Sequence, residues 1–128
     1  MSKAVLDSSA LLALLNRERG AEKLTSDVVS VAVCSCVNFT EVLSKLLLQG
    51  LNEREAFTAA FYSIAEIADF TLEHARIAGN LIMQTRTLGL SLGDRACLAL
   101  GMQLGAPIYT ADRLWKQLRL PVAIHVIR

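Results

Sequence analysis

Short, continuously apolar segments, each followed by a pattern that starts a helix, constrain the fold of this 128-residue chain more than any other feature. They predict five strands, at residues 4–6, 28–33, 67–70, 107–110 and 122–127. Strands that are apolar on both faces are typical of a parallel sheet covered by helices, and the repeated strand-helix order agrees with that arrangement. The sequence therefore predicts one domain over residues 1–128 with an α/β fold, a parallel sheet of about five strands with helices on both faces.

The connections after the first two strands carry helix-capping residues. Ser8 or Ser9 is expected to cap the first helix, and Asn38 or Thr40 to open a later one that has Glu41 in its first turn. Further along, residues 52–55 match a capping box, Thr71 is expected to cap a long helix, and Gly89 to end it.

The amino-acid composition limits where in the cell this protein is expected to act and what it is expected to bind. The hydrophobic fraction of 53% is high for a soluble chain of this size, and it predicts that some apolar surface serves an interface. No stretch offers the roughly 20 apolar residues of a membrane span, and the N-terminus lacks the apolar region of a signal peptide, so we expect a cytoplasmic protein that does not bind membranes. The net charge is only +1, but six basic and two acidic residues follow position 85, which suits contact with phosphates or simply solvated helix faces. Three cysteines, an odd number, are expected to be buried small apolar residues.

Four acidic residues stand at the edges of the most apolar segments. They are Asp7, Glu41, Asp94 and Asp112. An unpaired carboxylate beside a core is costly, and no Lys or Arg lies within the apolar segment before Asp7 to compensate it. In open parallel sheets, ligands gather outside the carboxyl ends of the strands, where all four acids are expected to meet. A divalent metal ion is the natural partner for such a group.

Oxygen ligands without His or Cys indicate Mg²⁺ or Mn²⁺, and such ions assist phosphodiester hydrolysis. Spacing alone does not establish this function, because acids are common in the first turns of helices, where they interact favourably with the helix dipole. A receiver domain of a response regulator would have adjacent acids after the first strand and a Lys-Pro pair, which this chain lacks. A dehalogenase-type phosphatase would have Asp where Ser9 stands. A non-catalytic α/β binding module, whose acids only cap helices, stays open.

Four segments, at residues 4–12, 37–42, 90–94 and 109–113, resemble in order the acidic motifs of PIN-domain nucleases, and more narrowly those of the VapC ribonuclease toxins of toxin-antitoxin pairs. The resemblance implies a PIN-like α/β/α sandwich and a Mg²⁺- or Mn²⁺-dependent endoribonuclease acting on RNA. It also implies a homodimer inhibited by a cognate antitoxin protein. One departure, Arg19 where relatives often have proline, lies in a connecting loop.

Carried over to this sequence, the resemblance makes the four acids the catalytic, metal-binding carboxylates, with Asp7 and Asp94 central. Thr110 corresponds to a hydroxyl that orients a carboxylate or a metal-bound water. Ser8 and Asn38 are weaker candidates for supporting the ligands.

Other polar and aromatic residues have simpler interpretations. His74 and His125 are expected to be structural, and Trp115 to pack onto the sheet rather than to stack on RNA bases. Arg95 suits either a phosphate contact or neutralisation of local negative charge. The apolar stripe that contains Phe57 is expected to be core or partner surface.

Overall fold

Five parallel strands form one sheet at the centre of the molecule, in the order β3-β2-β1-β4-β5. The computed structural model describes residues 2–128, so Met1 lies outside the described part. The strands are β1 (Ala4–Leu6), β2 (Ala32–Ser35), β3 (Glu66–Ala68), β4 (Ile108–Thr110) and β5 (Ile124–Val126). The chain starts in the middle of the sheet, builds outward through β2 and β3, and then crosses to β4 and β5. This topology confirms the predicted α/β fold.

Helices cover both faces of the sheet. Their bounds are α1 (Ser8–Asn16), α2 (Ser26–Ser30), α3 (Cys36–Leu48), α4 (Glu53–Phe61), α5 (Leu72–Asn80), α6 (Ile82–Thr85) and α7 (Leu92–Leu104). Val5, Val33 and Ile108 point to one face, where they pack with α5 and α7. Leu6 and Cys34 point to the other face, where α1, α3 and α4 supply the core. Because successive side chains of a strand alternate between the faces, continuously apolar strands bury both sides of the sheet.

The largest error of the sequence prediction concerns residues 28–33. The first part of this β-branched segment belongs to helix α2, and β2 begins only at Ala32. Thr25 caps α2, its Oγ1 accepting from the Val28 amide at 3.4 Å. Val28 and Val29 pack against the core from a helix rather than from a strand, so tertiary packing overrides the local β preference. The third, fourth and fifth strands are each shorter than predicted.

Helix starts were also predicted imperfectly. Asp7, not a serine, caps α1, and Ser35 caps α3, so Glu41 lies in the second turn of α3 rather than in its first. The predicted capping box at Asn52 is confirmed. Thr71 caps α5 as predicted, but the expected long helix is divided into α5, α6 and a short 3₁₀ turn before Gly89, whose φ of 67° ends it.

Trp115 is 1% exposed and packs in the core, as predicted. Two of the cysteines, Cys34 and Cys97, are buried as expected, whereas Cys36 is exposed, so the prediction for it was wrong. Phe57 is 45% exposed and therefore lies at the surface. No helix within residues 2–128 has both the length and the apolar character that crossing a membrane requires.

Candidate functional site

The four acids are carried to one edge of the sheet by its central elements. Asp7 directly follows β1, and Asp112 comes two residues after the neighbouring strand β4. Glu41 lies on α3, which follows β2, and Asp94 lies in the first turn of α7. This is the edge formed by the carboxyl ends of the strands, where parallel sheets bind ligands.

Asp7 is the most buried of the four acids, with 3% of its surface exposed. Its Oδ1 accepts hydrogen bonds from the Ser9 hydroxyl at 2.7 Å and from the Ala10 amide at 2.8 Å. Its Oδ2 accepts from the Thr110 hydroxyl at 2.6 Å. Three donors from two adjacent elements therefore hold both oxygens of this carboxylate in one orientation.

The two hydroxyl groups that hold Asp7 are themselves anchored. Thr110 Oγ1 accepts from the Asp112 amide at 3.1 Å, and Ser9 Oγ accepts from the Ala111 amide at 2.9 Å. Thr110 thus contacts a carboxylate of the site, as the sequence suggested. The serine in contact is Ser9, which the sequence prediction passed over in favour of Ser8. The position of Ser9 in the sequence could have indicated this contact. Ser9 lies two residues after Asp7, and in a helix capped by Asp7 a hydroxyl at that position can donate to the capping carboxylate.

Ser8 makes no side-chain hydrogen bond within residues 2–128 and lines a cleft beside the acids instead. The sequence prediction that it supports an acid is therefore not met by a direct contact.

Glu41 is held by Asn38 against the start of α7. The Asn38 amide nitrogen donates at 3.0 Å to Glu41 Oε1 and at 3.0 Å to the carbonyl of Gly93. A Cβ atom at Gly93 would lie 2.6 Å from Glu41 Oε1, so a larger residue there would require the Glu41 side chain to move from its present position. The sequence prediction did not include Gly93 among the site residues. Asn38 is buried, and its Oδ1 has no hydrogen-bond partner in the described chain.

Asp94 and Asp112 both cap helices and keep an oxygen available. Asp94 forms a capping box with Ser91, whose amide donates to Oδ2 at 2.9 Å. Asp112 Oδ1 accepts from the Leu114 amide at 3.0 Å. In residues 2–128, the second oxygen of each carboxylate accepts no protein hydrogen bond.

Burial and neighbouring negative charge raise the pKa of two of the acids, Asp7 and Asp94. Burial raises the pKa of Asp7 to about 6, with a further contribution from Asp94, although its three hydrogen bonds oppose the shift. Burial also raises the pKa of Asp94, and the charges of Glu41 and Asp112 add to the effect. Within residues 2–128, none of the four acids forms an ion pair with a basic side chain. The edge is therefore a concentration of negative charge without a protein counter-ion.

A hard divalent cation fits this donor set. The available donors are carboxylate oxygens, which suit Mg²⁺ and Mn²⁺ better than softer metals. In the described part of the chain, no group of three or more His, Cys, Asp or Glu side chains is arranged to hold a metal ion. An open site of a few carboxylates is nevertheless what magnesium accepts, because the ion keeps several of its water ligands.

The two histidines lie apart from this network. His74 is buried, closes a capping box with Thr71, and contacts the Gln103 side chain. His125 is exposed on β5 and stacks on Tyr109, with 4.8 Å between the ring centroids. Arg95, next to Asp94, donates from Nη1 to the Ala78 carbonyl at 2.9 Å.

A doubly wound parallel sheet with carboxylates at its carboxyl edge defines a class of α/β proteins, and comparison with known proteins identifies the family. The sequence profile of the PIN domain matches residues 4–120, and this chain belongs to the PIN domain family. Comparison with curated proteins finds no significantly similar sequence.

Solved VapC structures share the fold. The DNA-bound VapBC complex from Salmonella typhimurium contains a chain that matches with a TM-score of 0.76 and 15% identity, over 100% of both chains. VapC20 from Mycobacterium tuberculosis, a sarcin-ricin loop cleaving toxin, matches with a TM-score of 0.73 and 19% identity, over 94% of this chain and 98% of that one. VapBC2 from Rickettsia felis, bound to a promoter DNA fragment, matches with a TM-score of 0.71 and 15% identity, over 98% of both chains. The predicted membership of the PIN domain family is confirmed, and the predicted resemblance to VapC chains is confirmed in the fold.

Proposed function

We propose that this protein is a Mg²⁺- or Mn²⁺-dependent endoribonuclease that acts in the cytoplasm as the toxin of a toxin-antitoxin pair. The observation that carries the proposal is the environment of Asp7. A buried carboxylate is fixed by three hydrogen bonds near Asp94, which in turn lies near Glu41 and Asp112, and no basic side chain of residues 2–128 pairs with Asp7. A protein that needed Asp7 only as a helix cap would gain nothing from placing Asp94 close enough to raise its pKa.

Each side chain has a defined part in this proposal. Asp7, Glu41, Asp94 and Asp112 hold the metal, with Asp7 and Asp94 as the central ligands. A bound Mg²⁺ or Mn²⁺ ion would supply Lewis acidity to the phosphodiester and lower the pKa of a water molecule.

The hydrogen-bonding side chains act on those carboxylates. Ser9 and Thr110 hold Asp7 in its orientation, and Asn38 holds Glu41 toward Asp94. Such supporting hydrogen bonds fix the direction in which a carboxylate presents its free electron pairs.

The proposed partners are a cognate antitoxin and a second copy of the chain. Several large apolar side chains are strongly exposed, among them Leu48 at 88%, Leu72 at 87% and Tyr62 at 79%. Apolar surface of this extent is typical of proteins that are covered by a partner. The similarity to chains of VapBC complexes supports the choice of an antitoxin.

A non-catalytic binding module is the second candidate, because three of the acids have a capping role. Asp7 caps α1, Asp112 caps the 3₁₀ helix Arg113–Gln117, and Asp94 closes the capping box of α7. Asp94→Asn distinguishes the two. Asparagine can still make the capping interactions but is a poorer metal ligand, so RNA cleavage should fall by at least about 100-fold while stability changes little. Asp69→Asn, at an exposed position, is the matched control and should cleave like the unsubstituted protein.

The assay is cleavage of total bacterial RNA in MgCl₂, with parallel expression of the chain alone and together with the product of a small neighbouring reading frame. We expect growth arrest that the neighbour relieves, and cleavage that excess EDTA abolishes. Full RNase activity in EDTA, or unchanged activity of Asp94→Asn, would contradict the proposal.

A further inference from the structure

We propose that the cleft between α1 and α3 binds a backbone phosphate of single-stranded RNA next to the acidic edge, and that Lys45 is the positioning residue for it. This inference rests on the proposed function and names the contact that holds its substrate. The cleft has a volume of about 290 Å³ and lies between the side chains of Ser8, Ser9 and Asn16 on one side and Lys45 and Gln49 on the other.

The cleft adjoins Asp7, one of the four acids, through a shared side chain. Ser9 lines the cleft, and its hydroxyl donates to Asp7 Oδ1 at 2.7 Å. A nucleotide chain crossing the acidic edge would therefore continue directly into this cleft.

Lys45 supplies the net charge of the cleft. The other cation, Arg128, is paired with Glu18 at 3.1 Å and also donates to the Arg19 carbonyl. Lys45 forms no ion pair within residues 2–128. Because the charges of Glu18 and Arg128 cancel each other, the lining of the cleft has a net charge of one positive unit, carried by Lys45.

The freedom of Lys45 follows from the way Glu41 is held. A Glu four residues before a Lys on a helix is the favoured arrangement for an ion pair. Here Asn38 holds the Glu41 carboxylate against Gly93, at the start of α7, and the pair does not form. The contacts that assign Glu41 to the acidic edge thus leave the ammonium group available at the cleft.

The chemistry of the lining suits a ribose-phosphate backbone. Four carboxylates carry more negative charge than one bound divalent ion neutralises, so a cation beside them would help to hold a polyanionic substrate. The neutral side chains of Ser8, Asn16 and Gln49 can hydrogen-bond phosphate oxygens and a 2′-hydroxyl, which distinguishes RNA from DNA. Lys45 would bind a phosphate as a point charge without contacting the reacting atoms.

The test compares Lys45→Ala and Lys45→Arg with Lys3→Ala in an Asp94→Asn background that does not cleave. Lys3 precedes β1 at the opposite edge of the sheet and pairs with Glu66 at 2.9 Å, so its loss changes net charge equally but away from the cleft. Binding of a fluorescein-labelled single-stranded oligouridylate is measured by anisotropy over a range of NaCl concentrations.

Removing one phosphate contact should reduce the slope of log K against log salt by about 0.7. We expect that reduction for Lys45→Ala and not for Lys45→Arg or Lys3→Ala. In the cleaving protein, Lys45→Ala should raise KM for RNA with kcat little changed, since the contact is present in both ground and transition states.

A slope for Lys45→Ala equal to that of Lys3→Ala would overturn the proposal. So would unchanged RNA binding accompanied by weaker association with a co-expressed antitoxin, because the cleft would then be a protein-binding site. Failure of the nuclease proposal would be seen separately. It would appear as unchanged RNA cleavage when Asp94→Asn is made in the protein that retains Lys45, and this result does not depend on the salt slopes.

Discussion

Replacing Asp7 with asparagine should stabilise the metal-free protein and abolish its activity. The exchange keeps the size of the side chain and most of its hydrogen bonds. Oδ1 can still accept from Ser9 and Ala10, and the Thr110 hydroxyl, which now donates to Oδ2, can turn to accept from the new amide. What the exchange removes is a negative charge that burial makes unfavourable.

The magnitude follows from the pKa of Asp7, which rises from 3.8 to about 6 on folding. A raised folded pKa means that the folded protein binds the proton more tightly than the unfolded chain does. The resulting stability is fully present below pH 3.8 and is lost as the pH rises through about 6. The loss amounts to about 3 kcal/mol. Imperfect hydrogen bonding of the asparagine offsets about 1 kcal/mol of the gain.

The assay is urea unfolding in EDTA at several pH values. At pH 8, Asp7→Asn should exceed the unsubstituted protein by about 2 kcal/mol in the free energy of unfolding, and the advantage should disappear toward pH 4. Asp69→Asn, which removes a charge at an exposed position, should show no such advantage. Added MgCl₂ should stabilise the unsubstituted protein and not Asp7→Asn. Equal stability of the two proteins at pH 8, or an advantage that persists at pH 4, would refute the reasoning.

Two further substitutions test how the carboxylates are held. Gly93→Ala should lower RNA cleavage without lowering stability. The added Cβ would lie 2.6 Å from Glu41 Oε1 and would displace that carboxylate, whereas alanine favours a helix by up to about 1 kcal/mol. Cleavage by Gly93→Ala equal to that of the unsubstituted protein would show that the position of Glu41 does not matter. Thr110→Val removes a hydrogen bond that lowers the pKa of Asp7, so that pKa should rise and the acid limb of the cleavage pH profile should move to higher pH. An unshifted limb, measured by initial rates across pH, would argue against this role; the exposed Ser44→Ala is the control.

The sequence predicted the sheet well because the evidence for it is local. The three central strands, β2, β1 and β4, are short and mostly apolar segments, and the strand-helix order permits few topologies. It failed at residues 28–33, where Val28 and Val29 face the core from helix α2. A short β-branched segment can face a core either from a strand or from a helix. Its sequence alone does not distinguish the two, so tertiary packing decides between them.

The site shows the same division. That Asp7, Glu41, Asp94 and Asp112 would lie at one edge of the sheet was predicted from their places after strands and near helix starts. The sequence did not predict that Ser9 rather than Ser8 contacts Asp7. Both serines lie at the start of α1, and only the orientation of the helix shows which hydroxyl reaches the carboxylate.

By itself, then, the sequence determined the class of fold and supplied the four acids as site candidates, because apolar continuity and residue type are properties of short segments. Tertiary structure alone decided which groups hold those acids and at what energetic cost. Thr110 reaches Asp7 because β4 lies beside β1, and Glu41 rests on Gly93 because α3 packs against α7. The raised pKa of Asp7 likewise comes from burial. Burial depends on all the elements packed around Asp7, so no single segment of the sequence predicts it.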